Sequence, residues 1–312
     1  LELTVARRDI HVPPLTAALM EPGVGYVRVT SFSSDADELF FEEMERLQEE
    51  GMKALILDLR NNPGGYLDSA GRMAALFVDE GVLIYARDRD GREQTYEMRN
   101  TEPLDIPVFI LINEYSASAS EVLAGSLQDH GVARLVGQKS YGKGSVQSLF
   151  HLSDGSVLKL TVQEYLTPKR RPVNLVGLEP DAVVYGEVPQ LIAALQLAGD
   201  VNVKVELNAE SLTINGVAVL DRFSVIRENG MVYVPSRVLA ALVEGIATWD
   251  AENRAVLIRS AKMEAEYAVD SEGVLLRAGV SYIALNRFQT AFPSFAWSDE
   301  NGTVTLMEDG GK

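Results

Sequence analysis

The chain of 312 residues contains no cysteine, so disulfides, thiolate metal sites and a cysteine nucleophile are excluded together. Histidine is nearly as scarce, with only His11, His130 and His151. Basic residues are outnumbered by acidic ones, 28 to 45, and a formal charge of -17 leaves no basic patch for a phosphate backbone, so nucleic acid is not an expected partner. No apolar run approaches the roughly 20 residues of a membrane-spanning helix. What is present is ordinary for a folded protein: 46% apolar and 23% charged residues, in a chain long enough for two or three units with cores of their own.

The first residues, LELTVARRDIHV, alternate as a strand does and lack an initiator methionine; they read as the end of something longer. From Val24 onward strands and helices alternate. GYVRV is a strand, and Ser34 or Asp35 can cap a helix with Phe40, Met44 and Leu47 on one face, closed by Gly51. ALILDL is apolar enough for a buried strand and empties into the turn RNNPGG, residues 60–65, before a helix over roughly 69–77. Two polar-alternating arms around Asp90-Gly91 predict a hairpin, and PVFILIN a second buried strand. The following helix carries Val122, Leu123 and Leu127 and stops at Gly131. VQSLFHL and GSVLKLTVQEYL read as strands.

After Asp181 the pattern changes to a short helix-like stretch, PQLIAALQLAG, and then many short strands. Within this tail Tyr233 aligns with Tyr282, Trp249 with Trp297 and Val256 with Val304, an internal repeat of about 48 residues.

Ser118 follows a buried strand and opens a helix. Ser118-x-x-Glu121 is also a capping box, and Ser116 or Ser120 can cap as well, so position alone does not separate a nucleophile from a helix cap. The helix start offers free N–H groups where an oxyanion would form, and Gly64-Gly65 ends another strand. A serine nucleophile needs a base. If His130 shares its helix, twelve residues of rise put it about 18 Å away, and Asp129 about 16 Å. His130 then reads as a cation at the helix end. His11 and His151 lie in strand-like segments without a carboxylate partner.

The segment GQKSYGKGSVQ, residues 137–147, approaches a phosphate-binding loop, but Gly144 stands where a hydroxyl should hold magnesium, and strands rather than a helix follow. Its glycines instead let the backbone approach closely and aim the Lys143 amine into a confined site. A free lysine, with a pKa of about 10.4, must be desolvated by roughly three units to accept a serine proton near neutrality.

RNNPGG, SASASE, LVGQKSYGKGSVQ and LTVQEYLTPKRRPVNLVGLEPD, in this order and at this spacing, resemble the C-terminal processing peptidases, also called tail-specific proteases, over about residues 25–184. The 25 positions from Ser118 to Lys143 match that family's Ser-Lys dyad. The resemblance implies an α/β core of crotonase-like or ClpP-like fold, with Ser118 as nucleophile, Lys143 as general base and Gln147 orienting the lysine. It also implies an oxyanion hole from the Ala119 amide with that of Gly64 or Gly65, Gly64 being preferred. No cofactor and no metal are implied. Tyr115, where the family often has glycine, and Arg170, which interrupts its Thr-Pro-x-Gly stretch, are departures that bear on the substrate channel.

Members often carry a PDZ domain before the core, and residues 1–12 read as its last strand. The peptidase core is then expected over 13–187, a linker helix over 188–200, and a duplicated, β-rich α+β domain over 201–312. That tail resembles the stalk-like domain at the front of some copper amine oxidases, although the usual copper ligands are missing.

The expected activity is that of an extracytoplasmic serine endopeptidase acting on protein or peptide substrates from near their C-termini. A cell-wall or regulatory protein partner for the tail, and homo-oligomers, are compatible with it. An inactive core serving as a cell-surface binding or adaptor protein is the alternative, and a small-acyl hydrolase or isomerase on the same scaffold is a third.

Overall fold

The computed structural model describes residues 13–199, 201–269 and 271–308. His11 and the expected PDZ strand lie outside them.

The first half of the chain builds two sheets. Strand β1 (Leu15–Met20) pairs antiparallel with β2 (Val24–Val29), which leads into helix α1 (Ala36–Glu49) and strand β3 (Ala54–Asp58). Helix α2 (Leu67–Ala75) follows, two residues earlier than the expected 69–77, because the chain turns directly out of Gly65 and Asp68 falls in the first helical turn, where the exposed N–H groups favour it. The Asp90-Gly91 hairpin joins β4 (Glu80–Asp88) to β5 (Glu93–Arg99), with Gly91 at φ +81°. Next come β6 (Val108–Ile112), α3 (Ala119–His130) and β7 (Ala133–Gly137), then the hairpin of β8 (Ser145–His151) and β9 (Val157–Leu166), and finally β10 (Ala182–Val183) and α4 (Glu187–Leu197).

One sheet has the order β1-β2-β3-β6-β7-β10, parallel from β2 onward, and the other the order β5-β4-β9-β8. The central strands are buried on both faces, which is why they read as unbroken apolar runs. Alternate residues sort by face. Leu55, Leu57, Ile110 and Ile112 pack with Phe40, Met44, Met73, Val122 and Leu127 from α1, α2 and α3. Ile56, Phe109, Leu111 and Val136 face the other way, onto Val188, Leu191, Ile192 and Leu195 of α4. The segment expected as a linker over 188–200 is therefore a packed layer. Its apolar residues recur around the helix rather than along one stripe, and such a helix has to be covered on more than one side.

The second half is rich in strands. They are β11 (Lys204–Leu207), β12 (Leu212–Ile214), β13 (Val217–Val219), β14 (Ile226–Glu228) and β15 (Met231–Pro235), then helix α5 (Ser236–Leu242), β16 (Ile246–Asp250), β17 (Ala255–Arg259) and β18 (Glu264–Ala268). After these come β19 (Val274–Arg277), β20 (Val280–Ala284), α6 (Leu285–Ala291), β21 (Phe295–Glu300) and β22 (Thr303–Glu308). Tyr233 and Tyr282 lie in β15 and β20, Trp249 and Trp297 in β16 and β21, Val256 and Val304 in β17 and β22. Its core is continuous with that over α4: Val205, Leu212, Leu239 and Leu242 belong to the same apolar cluster as Ile56 and Leu191.

Candidate active site

Three neighbouring parallel strands, β3, β6 and β7, deliver three loops to one edge of the sheet: residues 59–66, 113–118 and 138–144. The carboxyl edge of parallel strands is where such folds place their sites. The loops carry, in turn, Gly64 and Gly65, Ser118, and Lys143.

Ser118 has φ +59° and ψ −116°, a backbone conformation that costs a non-glycine residue about 1–3 kcal/mol and persists only where its surroundings impose it. The imposing contacts are visible. Ala117 N–H donates to the Asn62 carbonyl at 3.0 Å, and the Ser120 hydroxyl donates to the same oxygen at 3.0 Å. The Ser116 hydroxyl donates to the Leu59 carbonyl at 2.8 Å and receives the Asn113 N–H at 3.0 Å. Ser116 and Ser120 are thus buried fasteners to the 59–66 turn, while Ser118 is only partly buried.

Glu121 does more than cap. Its carboxylate, fully buried, accepts the Ser118 N–H (2.9 Å), the Lys143 N–H (2.8 Å), the Gly142 N–H (2.7 Å) and the Ser140 hydroxyl (2.6 Å). A single acceptor group therefore ties the Ser118 turn to the lysine loop. Tyr165 adds a second tie, donating to the Lys143 carbonyl at 2.7 Å and lying 3.1 Å from the Ser118 carbonyl. Burial, and then the Glu121 charge, push its phenol well above the ordinary range, so it stays a donor. The sequence showed Glu121 only as a helix cap and gave Tyr165 no role. The signal for Glu121 was faint: an acidic residue beside a wholly apolar helix segment.

The two glycines separate. Gly64 has φ +101°, and a Cβ there would stand 2.7 Å from the Ala117 carbonyl and 2.8 Å from Ser118 Cβ. Its N–H already donates to Asn62 Oδ1 at 2.9 Å. The Gly64 amide, preferred over that of Gly65 as an oxyanion donor, is thus already bonded to a buried oxygen. The bridge between Phe32 and Gly65 uses the Gly64 carbonyl and the Tyr66 N–H, leaving the Gly65 N–H outside that pairing.

Lys143 departs from expectation. Its main chain is fixed at both ends of the residue, but its side chain is exposed, so the confined, desolvated setting read from the flanking glycines is not built by this chain alone. The glycines serve the loop instead: a Cβ on Gly144 would come within 2.3 Å of Asn174 N. Gln147 is also exposed, at an irregularity in the β8–β9 pairing. Lys143 lines an open cleft of about 640 Å³ with Asn61, Pro63, Tyr115, Ala117 and Tyr141. Tyr115 and Tyr141 are 60% and 65% exposed there, which gives the cleft aromatic walls.

The remaining candidates lie elsewhere. Asp129 pairs with Arg171 at 2.6 Å and accepts the Lys169 N–H at 2.7 Å, which pins the loop after β9. His130 Nε2 lies 2.9 Å from the Val82 carbonyl, to which it donates, and His151 is exposed at the end of β8. Arg170 sits 4.1 Å over the Tyr85 ring and pairs with Glu93.

Comparison with known proteins bears on this arrangement. Residues 23–184 match the model of peptidase family S41. The chain is 38% identical over 239 residues to a carboxyl-terminal-processing protease of Synechocystis sp., covering 75% of this chain and 55% of that protein. It is 41% identical over 183 residues to a carboxyl-terminal-processing protease of Picosynechococcus sp., covering 58% of this chain and 44% of the relative. Among solved structures, the photosystem II D1 C-terminal processing protease superposes with a TM-score of 0.53 at 32% identity, over 57% of this chain and 50% of that one. The chain thus spans about half the length of these relatives. With the matched segment embracing all three loops of the cleft, the chain belongs to peptidase family S41.

Proposed function

We propose that this protein is a serine endopeptidase that processes or degrades polypeptides from near their C-termini through an acyl-enzyme. Ser118 is the nucleophile and Lys143 the general base, with Gln147 orienting the lysine. The observation that carries the reading is the imposed backbone of Ser118, at φ +59°, held at a helix start beside a glycine turn.

The chemistry follows. A polypeptide lying in the cleft covers Lys143 and removes water from it, which favours the neutral amine that a general base requires. Neutral Lys143 takes the Ser118 proton as Oγ attacks the carbonyl carbon. The tetrahedral oxyanion is met by the N–H of Ala119, at the first turn of α3, and that of Gly65. Gly64 contributes clearance rather than a hydrogen bond. The protonated lysine then gives its proton to the departing amine, and water, deprotonated by the same lysine, releases the acyl group.

The tail, expected over 201–312, we read as a duplicated unit resembling the copper amine oxidase stalk, on the aligned positions of its tyrosines and tryptophans. A division into a core over 13–187 and this tail, a crotonase-like or ClpP-like fold for the core and an extracytoplasmic location belong to the same reading.

Ser118→Ala and Lys143→Ala should each lower cleavage of casein by about 10³-fold or more, as removal of a nucleophile or its base does. Labelling by a fluorophosphonate should vanish in Ser118→Ala. Undiminished cleavage by the Lys143 variant would sink the mechanism.

A further inference from the structure

Beneath the 59–66 turn lies a buried ion cluster that the catalytic reading does not use. Arg60, 1% exposed, bonds Asp58 through Nε (2.9 Å) and Nη2 (2.7 Å), the Glu187 carbonyl through Nη1 (2.6 Å), and Asp221 Oδ2 through Nη2 (2.6 Å). Arg28 reaches Asp221 Oδ1 at 3.2 Å. Arg28, Asp58 and Arg60 all fall within residues 23–184, the family segment, whereas Asp221 comes from the strand-rich tail. By charge the family segment supplies two guanidinium groups and one carboxylate, and the tail supplies the second carboxylate. A buried ion left without its partner is strongly unfavourable, so the peptidase segment of this chain is not electrically complete by itself.

From Arg60 the route to the nucleophile is short. Asn61 N–H donates to Asn113 Oδ1 at 3.0 Å, the Asn62 carbonyl receives Ala117 N–H and the Ser120 hydroxyl, and Gly64 abuts Ser118. We infer that Asp221 is a positioning residue: through Arg60 it holds the glycine turn in register with Ser118, so that the tail is a working part of the active site and not an appended module. The inference rests on the peptidase reading for its catalytic consequence, but not for the anchoring itself.

The test is Asp221→Asn in the full chain, read three ways beside wild type and the surface control Asp299→Asn. Amide hydrogen exchange should quicken about tenfold or more in the non-proline residues of 60–65, and phosphonylation of Ser118 by a fluorophosphonate should slow by about 100-fold, the cost of a catalytic group displaced by about 1 Å. KM for a peptide should change little. Adding Arg28→Gln removes the surplus positive charge; the double variant should regain thermal stability while labelling stays slow, because Arg60 still lacks its ion pair with the tail. Unchanged exchange in 60–65, or restoration of wild-type labelling by the double variant, would overturn the inference. Faster exchange of the turn in a protein whose wild type never labels at Ser118 would leave the anchoring standing and remove the peptidase reading instead.

Discussion

The two sides of the cleft are built differently. On the Ser118 side, that of the proposed nucleophile, the groups that set the turn are buried: Asn62, Asn113, Ser116, Ser120 and Glu121 are all nearly inaccessible. On the base side the Lys143 backbone is fastened to Glu121 and Tyr165, yet its side chain and that of Gln147 stand in solvent. The difference teaches that geometry and electrostatics are supplied separately. The chain preorganises the strained turn, because strain must be sustained by contacts made during folding. It leaves desolvation of the lysine to whatever fills the cleft, because an amine buried permanently would have to be supported in the free protein as well.

The comparison can be broken most severely at Glu121. Glu121→Gln sets an amide donor against N–H and O–H donors, and a buried mismatch of this kind should cost about 3 kcal/mol in urea unfolding and lower kcat about 100-fold. Both sides of the cleft depend on this residue, so retention of wild-type rate would deny that it couples them. Gly64→Ala attacks only the nucleophile side. The added Cβ meets backbone rather than a movable side chain, at a φ of +101°, so a loss of about 2 kcal/mol and a fall in kcat with little change in KM are expected by denaturation and steady-state kinetics.

Acid tests the buried support beneath the turn. Burial disfavours the Asp58 carboxylate, but the Arg60 guanidinium, then Arg28 and the Tyr26 hydroxyl, hold its carboxyl below the ordinary value. A depressed folded-state pKa means that this stabilisation is complete above the unfolded value of about 4 and is lost as pH falls from there through the folded value. The urea midpoint should therefore drop between pH 4 and pH 2, and a flat profile there would remove the cluster as a source of stability. His130→Ala should do least: loss of one hydrogen bond to Val82, about 1 kcal/mol, with kcat unchanged, which a melting curve and a rate assay would check.

Much of the core was legible because its signals are local. ALIL and VFILI are buried on both faces and read as unbroken apolar runs; Gly131, at φ +76°, ends α3 where a helix stop was expected. The cleft was legible as three motifs whose family resemblance implied a Ser-Lys mechanism, but the surroundings of the lysine were not legible. Lys143 was expected to be enclosed, yet it is exposed on an open cleft, and the packing around a loop residue is not specified by spacing along the chain. Residues 188–200 were read as a linker helix for a similar reason: the covering that turns a short apolar helix into a layer comes from β6 and β7 on one side and from helix α5, later in the chain, on the other.

By itself the sequence determined the alternation of strands and helices, the turns that need glycine, and the set from which the catalytic groups are drawn. Position alone left Ser116, Ser118 and Ser120 open and only the family resemblance singled out Ser118; the bonds of Ser116 to Leu59 and of Ser120 to Asn62 are made to residues 57 and 58 positions away. Nor could position show which glycine keeps a free amide, or that Arg60 finds a carboxylate 161 positions later. Periodicity reports which face of an element is apolar; it says nothing about which distant polar atom will satisfy a buried donor, and in this protein those pairings decide which side chain is left free to react.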